Sequence, residues 1–307
     1  MTVSAVPLGG IVRLGSGFLA IAVGSALFSH AAERLIHRLF TNRQMGARIL
    51  GNVSLSLPEA ILPVFAFLSA RRHPGTGTDR FLDIGVGAIL GAPAFLLLVL
   101  WPLYLWATRK QHIPASRCRQ LVREPPILMA ALAGALALGY LPVPGIRIAG
   151  GIVLLALYLF LVLRIEPTAD EADALPGGDP VRSSDVFAFL AGTGLVLVGP
   201  ELFLSGLGEL SGPGPSATPF LLSLVLSPLA TESPEMMALV FFLRRRERVL
   251  GFDIVWGSIS FQLTVSLSLG LFLSPWTLAA RHAVLGGVLV AILFLSTLLG
   301  RKRFRDV

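Results

Sequence analysis

The chain has 307 residues, 54% hydrophobic and only 14% charged. That balance excludes a soluble domain and marks a polytopic membrane protein. The net charge of +7 is no sign of nucleic-acid binding, because the arginines lie between apolar spans, where they orient a protein in the bilayer.

In chain order, the pattern predicts about nine membrane helices. The first covers roughly 11–35 and ends in a polar stretch with His30, Glu33 and Arg34. Arg13 interrupts it, so it reads as a membrane helix rather than a cleavable leader. The second covers roughly 49–70. A Gly-rich turn leads to the third, about 81–107, where Gly87 and Gly91 form a small-xxx-small pair that lets another helix approach closely. A basic loop follows, with Arg109, Lys110, Arg117, Arg119 and Arg123. The single cysteine, Cys118, sits in that loop, excluding an internal disulfide and offering no metal cluster. The fourth span is short, about 126–141, and a Pro-Val-Pro-Gly turn leads to the fifth, about 148–163.

An acidic stretch (Glu166, Asp170, Glu171, Asp173, Asp179) then reads as a flexible linker over 166–184. Beyond it lie spans at about 185–207, 217–243, 249–273 and 278–299. The expected organisation is a first membrane repeat over 1–165, the linker, and a second repeat over 185–307.

Two of these spans are chemically unusual. The second carries Ser54, Ser56, Pro58 and Glu59 inside an apolar run. A carboxylate deep in a hydrophobic span is costly and points to a functional site. Proline frees a backbone carbonyl one turn upstream. Carbonyl, carboxylate and hydroxyls together make an oxygen-rich site for a hard cation. The seventh span repeats the arrangement with Thr231, Glu232, Ser233, Pro234 and Glu235. The bland alternative is a proline-kinked helix whose glutamate caps its second half.

Internal repetition supports the pairing. A shift of about 176 positions lays Ser29 on Ser205, Glu33 on Glu209, Pro58 on Pro234 and Glu59 on Glu235. A shift of about 166 lays Gly91 on Gly257 and Phe95 on Phe261, and one of about 136 lays Gly150-Gly151 on Gly286-Gly287. The last two differ by about one helix and a turn, so the second half lacks a partner for the fourth span, giving five helices and then four. With the N-terminus outside, inner segments hold about 19 Lys and Arg and outer ones about 6, as the positive-inside rule requires. An odd first half inverts the second, and inverted repeats mark secondary transporters.

These motifs resemble those of the sodium/calcium exchanger (calcium:cation antiporter) superfamily. Its two repeats carry helices reading like G-T-S-x-P-E, each followed by one like G-N-x-x-G-S-N. Here the counterparts are SLSLPE (54–59), GAILGAP (87–93), ATESPE (230–235) and DIVWGSI (253–259), then Phe261, Gln262 and a Ser-Pro-Trp at 274–276. The resemblance is greatest to bacterial members. It implies an all-α membrane protein of two inverted repeats, exchanging Ca2+ against Na+ or H+ by alternating access, with no cofactor beyond these transported ions. It makes Glu59 and Glu235 the central cation carboxylates, flanked by Ser56, Thr231, Glu232, Ser233, Asp253, Ser258 and Gln262. The chain departs from the pattern at the asparagine positions, held by Ala88, Pro93, Ile254 and Ile259, and Glu232 adds a third carboxylate.

The expected partners are the cations and the bilayer, with no nucleic acid, and the expected location is the cytoplasmic membrane, C-terminus inside. The oligomeric state stays open. The alternatives are a proton-coupled monovalent cation exchanger and a non-transporting scaffold. An enzyme is disfavoured because no H-E-x-x-H, G-x-S-x-G or phosphate-binding loop is present. Glu33, Glu209 and His30 read as residues near helix ends, and Glu201 as a possible vestibule acid.

Overall fold

The computed structural model describes residues 8–39, 43–72, 76–109, 113–141, 143–164, 182–210 and 218–305; the side chains of 29–30, 32–55, 57–58, 76–77, 300–301 and 303–305 are outside the description. His30, Glu33, Ser54, Pro58 and the acidic linker therefore fall outside it. Among the described residues all regular structure is helical. The elements are α1 (Leu8–Leu39), α2 (Arg43–Arg72), α3 (Thr76–Phe95), α4 (Trp101–Ala107), α5 (Ala115–Leu138), α6 (Pro144–Leu163), α7 (Ser183–Leu210), α8 (Thr218–Thr231), α9 (Ser233–Arg244), α10 (Arg248–Phe261), α11 (Leu267–Leu273) and α12 (Ala280–Arg305).

Among the described residues, seven helical stretches are long and apolar enough to cross a membrane.

Two one-turn π segments join helices end to end. Leu96–Leu100 links α3 to α4, and Gln262–Ser266 links α10 to α11. The step from Leu96 to Gln262 is the same 166 residues that relate Gly91 to Gly257. π turns inside α-helices are rare and cluster at functional sites, so their recurrence at one register is informative. The two turns differ in chemistry. The first is wholly apolar, whereas the second carries Gln262, Thr264 and Ser266, all buried.

The α1–α7 pair is built on glycine. Gly10, Gly17 and Gly24 on α1 meet Gly206, Gly199 and Gly192 on α7, in that order, so the helices run antiparallel. A Cβ at Gly24 would stand 2.7 Å from that of Leu195, and one at Gly199 would stand 2.9 Å from the Ile21 nitrogen. Close backbone approach of this kind drives helix association where lipid removes the hydrophobic term.

The basic loop expected over 109–123 is helical from Ala115 onward. Arg117 is buried there because it finds a carboxylate on α10, donating to Asp253 Oδ2 at 2.6 Å. Cys118 is correspondingly buried in α5, not in a loop. Pro125 and Pro126 lie inside α5 rather than at its start. At the other end of the molecule, Arg281 in the first turn of α12 grips both oxygens of Asp83 on α3, at 2.7 and 2.6 Å. Gly139 beyond α5 meets Leu278, and Gly286 on α12 meets Leu136, so α5 and α12 pack antiparallel.

The 136-residue likeness sets Gly150-Gly151 on Gly286-Gly287, and the surroundings of the two pairs differ. Gly151 meets Phe272 of α11, whereas Gly287 has open space around it.

Candidate cation site

Glu59, Glu232 and Glu235 converge in the middle of the bundle. Each offers a carboxylate oxygen within 4.8 Å of the others, and all three are buried. The sequence places them there in two ways. On α2, Ser56 and Glu59 are three apart and share a helical face. On the other side the helix breaks.

The seventh span, expected to be continuous, is interrupted between α8 and α9 at Glu232 (φ −86°, ψ 1°). Pro234 lacks an N–H, so the Ala230 carbonyl loses its donor. The Ser233 hydroxyl replaces it, donating to Ala230 O at 3.0 Å. Pro228 likewise leaves the Leu224 carbonyl without a donor. That oxygen lies 2.6 Å from where a Cβ would stand on Gly91 of α3, a position only glycine leaves open. The chain amides resume around the break, with Glu232 N donating to Pro228 O at 2.8 Å and Met236 N to Glu232 O at 3.0 Å. The break points Glu232 and Glu235 into the core, where both are 0% exposed.

Among the described residues, no hydroxyl, amide or cationic side chain donates to any of the six carboxylate oxygens, and Glu59 lies in hydrogen-bonding reach of Glu232 and Glu235. Buried carboxylates without such donors are expensive unless a cation or protons offset their charge. Oxygen atoms at this spacing suit a hard cation.

The hydroxyl and amide residues are distributed less evenly. Ser56 Oγ and Ser258 Oγ lie 3.3 Å apart and tie α2 to α10. Thr231 donates to Ser227 O at 3.1 Å, one turn back. Ser233 is committed to Ala230 O. Gln262 Oε1 accepts from Ser266 at 2.5 Å, while its Nε2 is buried without a partner. Asp253 stands outside the glutamate cluster, because Arg117 holds it at the end of α10. Glu201 is exposed on α7. Glu209 pairs with Arg13 across the α1–α7 contact.

Two buried acids are missed by the sequence pattern, Asp185 at the start of α7 and Glu124 on α5. Glu124, 8% exposed, accepts from Trp256 Nε1 at 2.6 Å and from Gln120 Nε2 at 3.1 Å. Its neighbours Pro125 and Pro126 suggested a helix boundary and hid it. The available signal is that any acid flanking an apolar run deserves testing as intramembrane.

The sequence model of the sodium/calcium exchanger protein family matches residues 9–165 and 184–303. The chain belongs to that family, whose members are secondary transporters and not enzymes. Comparison with curated proteins gave no match. Among solved structures, the fold is similar to an H+/Ca2+ exchanger, CAX, with TM-score 0.70 and 19% identity over 96% of this chain and 81% of that one. It is also similar to the sodium–calcium exchanger NCX_Mj, with TM-score 0.58 and 17% identity over 96% of this chain and 91% of that one. A second NCX_Mj structure gives TM-score 0.58 and 20% identity over 96% and 92%. The protein is thus an all-helical, multi-pass membrane antiporter of cations.

Proposed function

We propose that the protein exchanges Ca2+ against Na+ or H+, binding the cation between Glu59, Glu232 and Glu235. The observation that carries this is the convergence of three buried carboxylates within 4.8 Å. Ser56, Thr231, Ser258 and Gln262 complete the surroundings, and Asp253 has a structural role. The third carboxylate supports H+ as counter-ion, since protons can offset the charge when the cation leaves. The likeness of the fold to the H+/Ca2+ exchanger CAX agrees with that arm.

On this reading residues 1–165 and 185–307 are inverted repeats. The recurring π turns and the two Arg–Asp pairs at opposite ends support it. The glycine-zipped α1–α7 pair moves as one body against the rest, exposing the site to each side in turn. The protein sits in the cytoplasmic membrane with its C-terminus inside, which the arginine distribution supports.

The test is radioactive calcium uptake into proteoliposomes under a sodium gradient and then a pH gradient. Uptake driven by one gradient and lost in Glu59→Gln and Glu235→Gln is expected. Absence of uptake with every cation tried would leave a scaffold that kept the fold.

A further inference from the structure

We infer that Glu124 is a second proton-binding site, loaded from a cavity between α5 and α6 and linked to the cation site through Trp256. This rests on the exchange reading but concerns a different carboxylate. An ionisable side chain buried in a membrane-spanning helix is a functional candidate whose partner should be named. Here the partner is Trp256, whose indole N–H lies 2.6 Å from Glu124 Oε2. Trp256 and Ser258 stand on different faces of α10, so that helix is the link, and Ser258 touches Ser56 at the cation site.

Glu124 has a path to water. It lines a cavity of about 70 Å³ with Arg117, Arg119, Gln120 and Arg123 of α5 and Arg164 after α6. These guanidiniums repel hydrated metal cations from the mouth. Both donors to the carboxylate, Trp256 and Gln120, are neutral. The charged groups around it are those four arginines and Asp253, which holds Arg117. Among the described residues, no titratable side chain of α11 or α12 lines the cavity.

The acid has no counterpart in the other half. Aligning Arg117 with Arg281 puts Val288, a surface residue of α12, at the position of Glu124. The two halves therefore differ in that only one end carries a loading acid. Protonation would cancel the charge that Trp256 donates to, loosening the grip of α5 on α10 beside the site.

The experiment uses the full chain in proteoliposomes, with two readouts. Infrared difference spectra across pH 5 to 9 should show a protonated-carboxyl band in the parent that is absent in Glu124→Gln and returns in Glu124→Asp. Exchange rate against pH should move its midpoint by about one unit in Glu124→Gln, a tenfold change in proton affinity, and by less in Trp256→Phe. Absence of the band from the parent overturns the inference, as does a band accompanied by an unchanged pH profile. Failure of the parent to bind cations, measured separately with labelled calcium, would sink the exchange reading alone, and the infrared comparison would still decide Glu124.

Discussion

Arg117 and Asp253 form an ion pair at 2.6 Å that clamps the start of α5 onto α10, and the arginine is almost fully buried. Arg281 and Asp83 form the corresponding clamp from α12 onto α3, but Arg281 keeps 37% of its side chain exposed. Arg117 is buried and Arg281 is over a third exposed, so water screens the first pair less than the second. Asp253→Ala should therefore destabilise strongly and Asp83→Ala weakly. Thermal unfolding in detergent checks this, and equal losses would contradict the burial argument. Replacing Arg117 and Asp253 together by Met and Leu should recover most of the loss.

Much of this fold was legible in the residues. Apolar runs located the helices, and the Pro-Glu pairs located all three clustered glutamates. Two features were not legible, for physical reasons. Arg117 looks like a loop residue until its carboxylate arrives from α10, 136 positions away. The seventh span reads as continuous because its break needs only one residue, Glu232, out of helical register. The seven-residue glycine rows on α1 and α7 went unread, and which row faces which is fixed only by packing.

The glutamates should not contribute equally to cation binding. Ligand charge count tunes affinity at oxygen sites. Glu59→Gln and Glu235→Gln should abolish measurable calcium binding. Glu232 sits at the helix break, and Glu232→Gln keeps its shape while removing one charge. A loss of about tenfold in affinity, roughly 1.4 kcal/mol, is expected. Calorimetric titration of the three variants tests this, and an unchanged affinity in Glu232→Gln would remove that residue from the site.

Ser233 should matter to the helix break more than to the ion. Its hydroxyl satisfies the Ala230 carbonyl that Pro234 leaves bare. Ser233→Ala leaves a buried acceptor unpaired, at about 1–3 kcal/mol, and Ser233→Thr should restore it. Unfolding midpoints should fall and recover in that order, while calcium affinity per folded molecule stays within about twofold. A large affinity loss in Ser233→Ala with unchanged stability would make Ser233 a ligand instead.

The α1–α7 contact offers the most direct test of a moving body. Gly24 faces Leu195 and the Val196 nitrogen, and Gly199 faces Ile21 side-chain and backbone atoms, all under 3 Å from an added Cβ. Backbone atoms cannot step aside as a flexible side-chain tip can. Gly199→Val should therefore push the helices apart by about 1 Å or more and weaken their association. Gly15, on the same helix with open space around it, is the control, and Gly15→Ala should leave both stability and exchange unchanged. If α1 and α7 travel as one unit, Gly199→Val should slow exchange more than it weakens calcium binding, because the static glutamates stay in place. Loss of binding in step with loss of exchange would instead show that this pair holds the site together rather than moving past it.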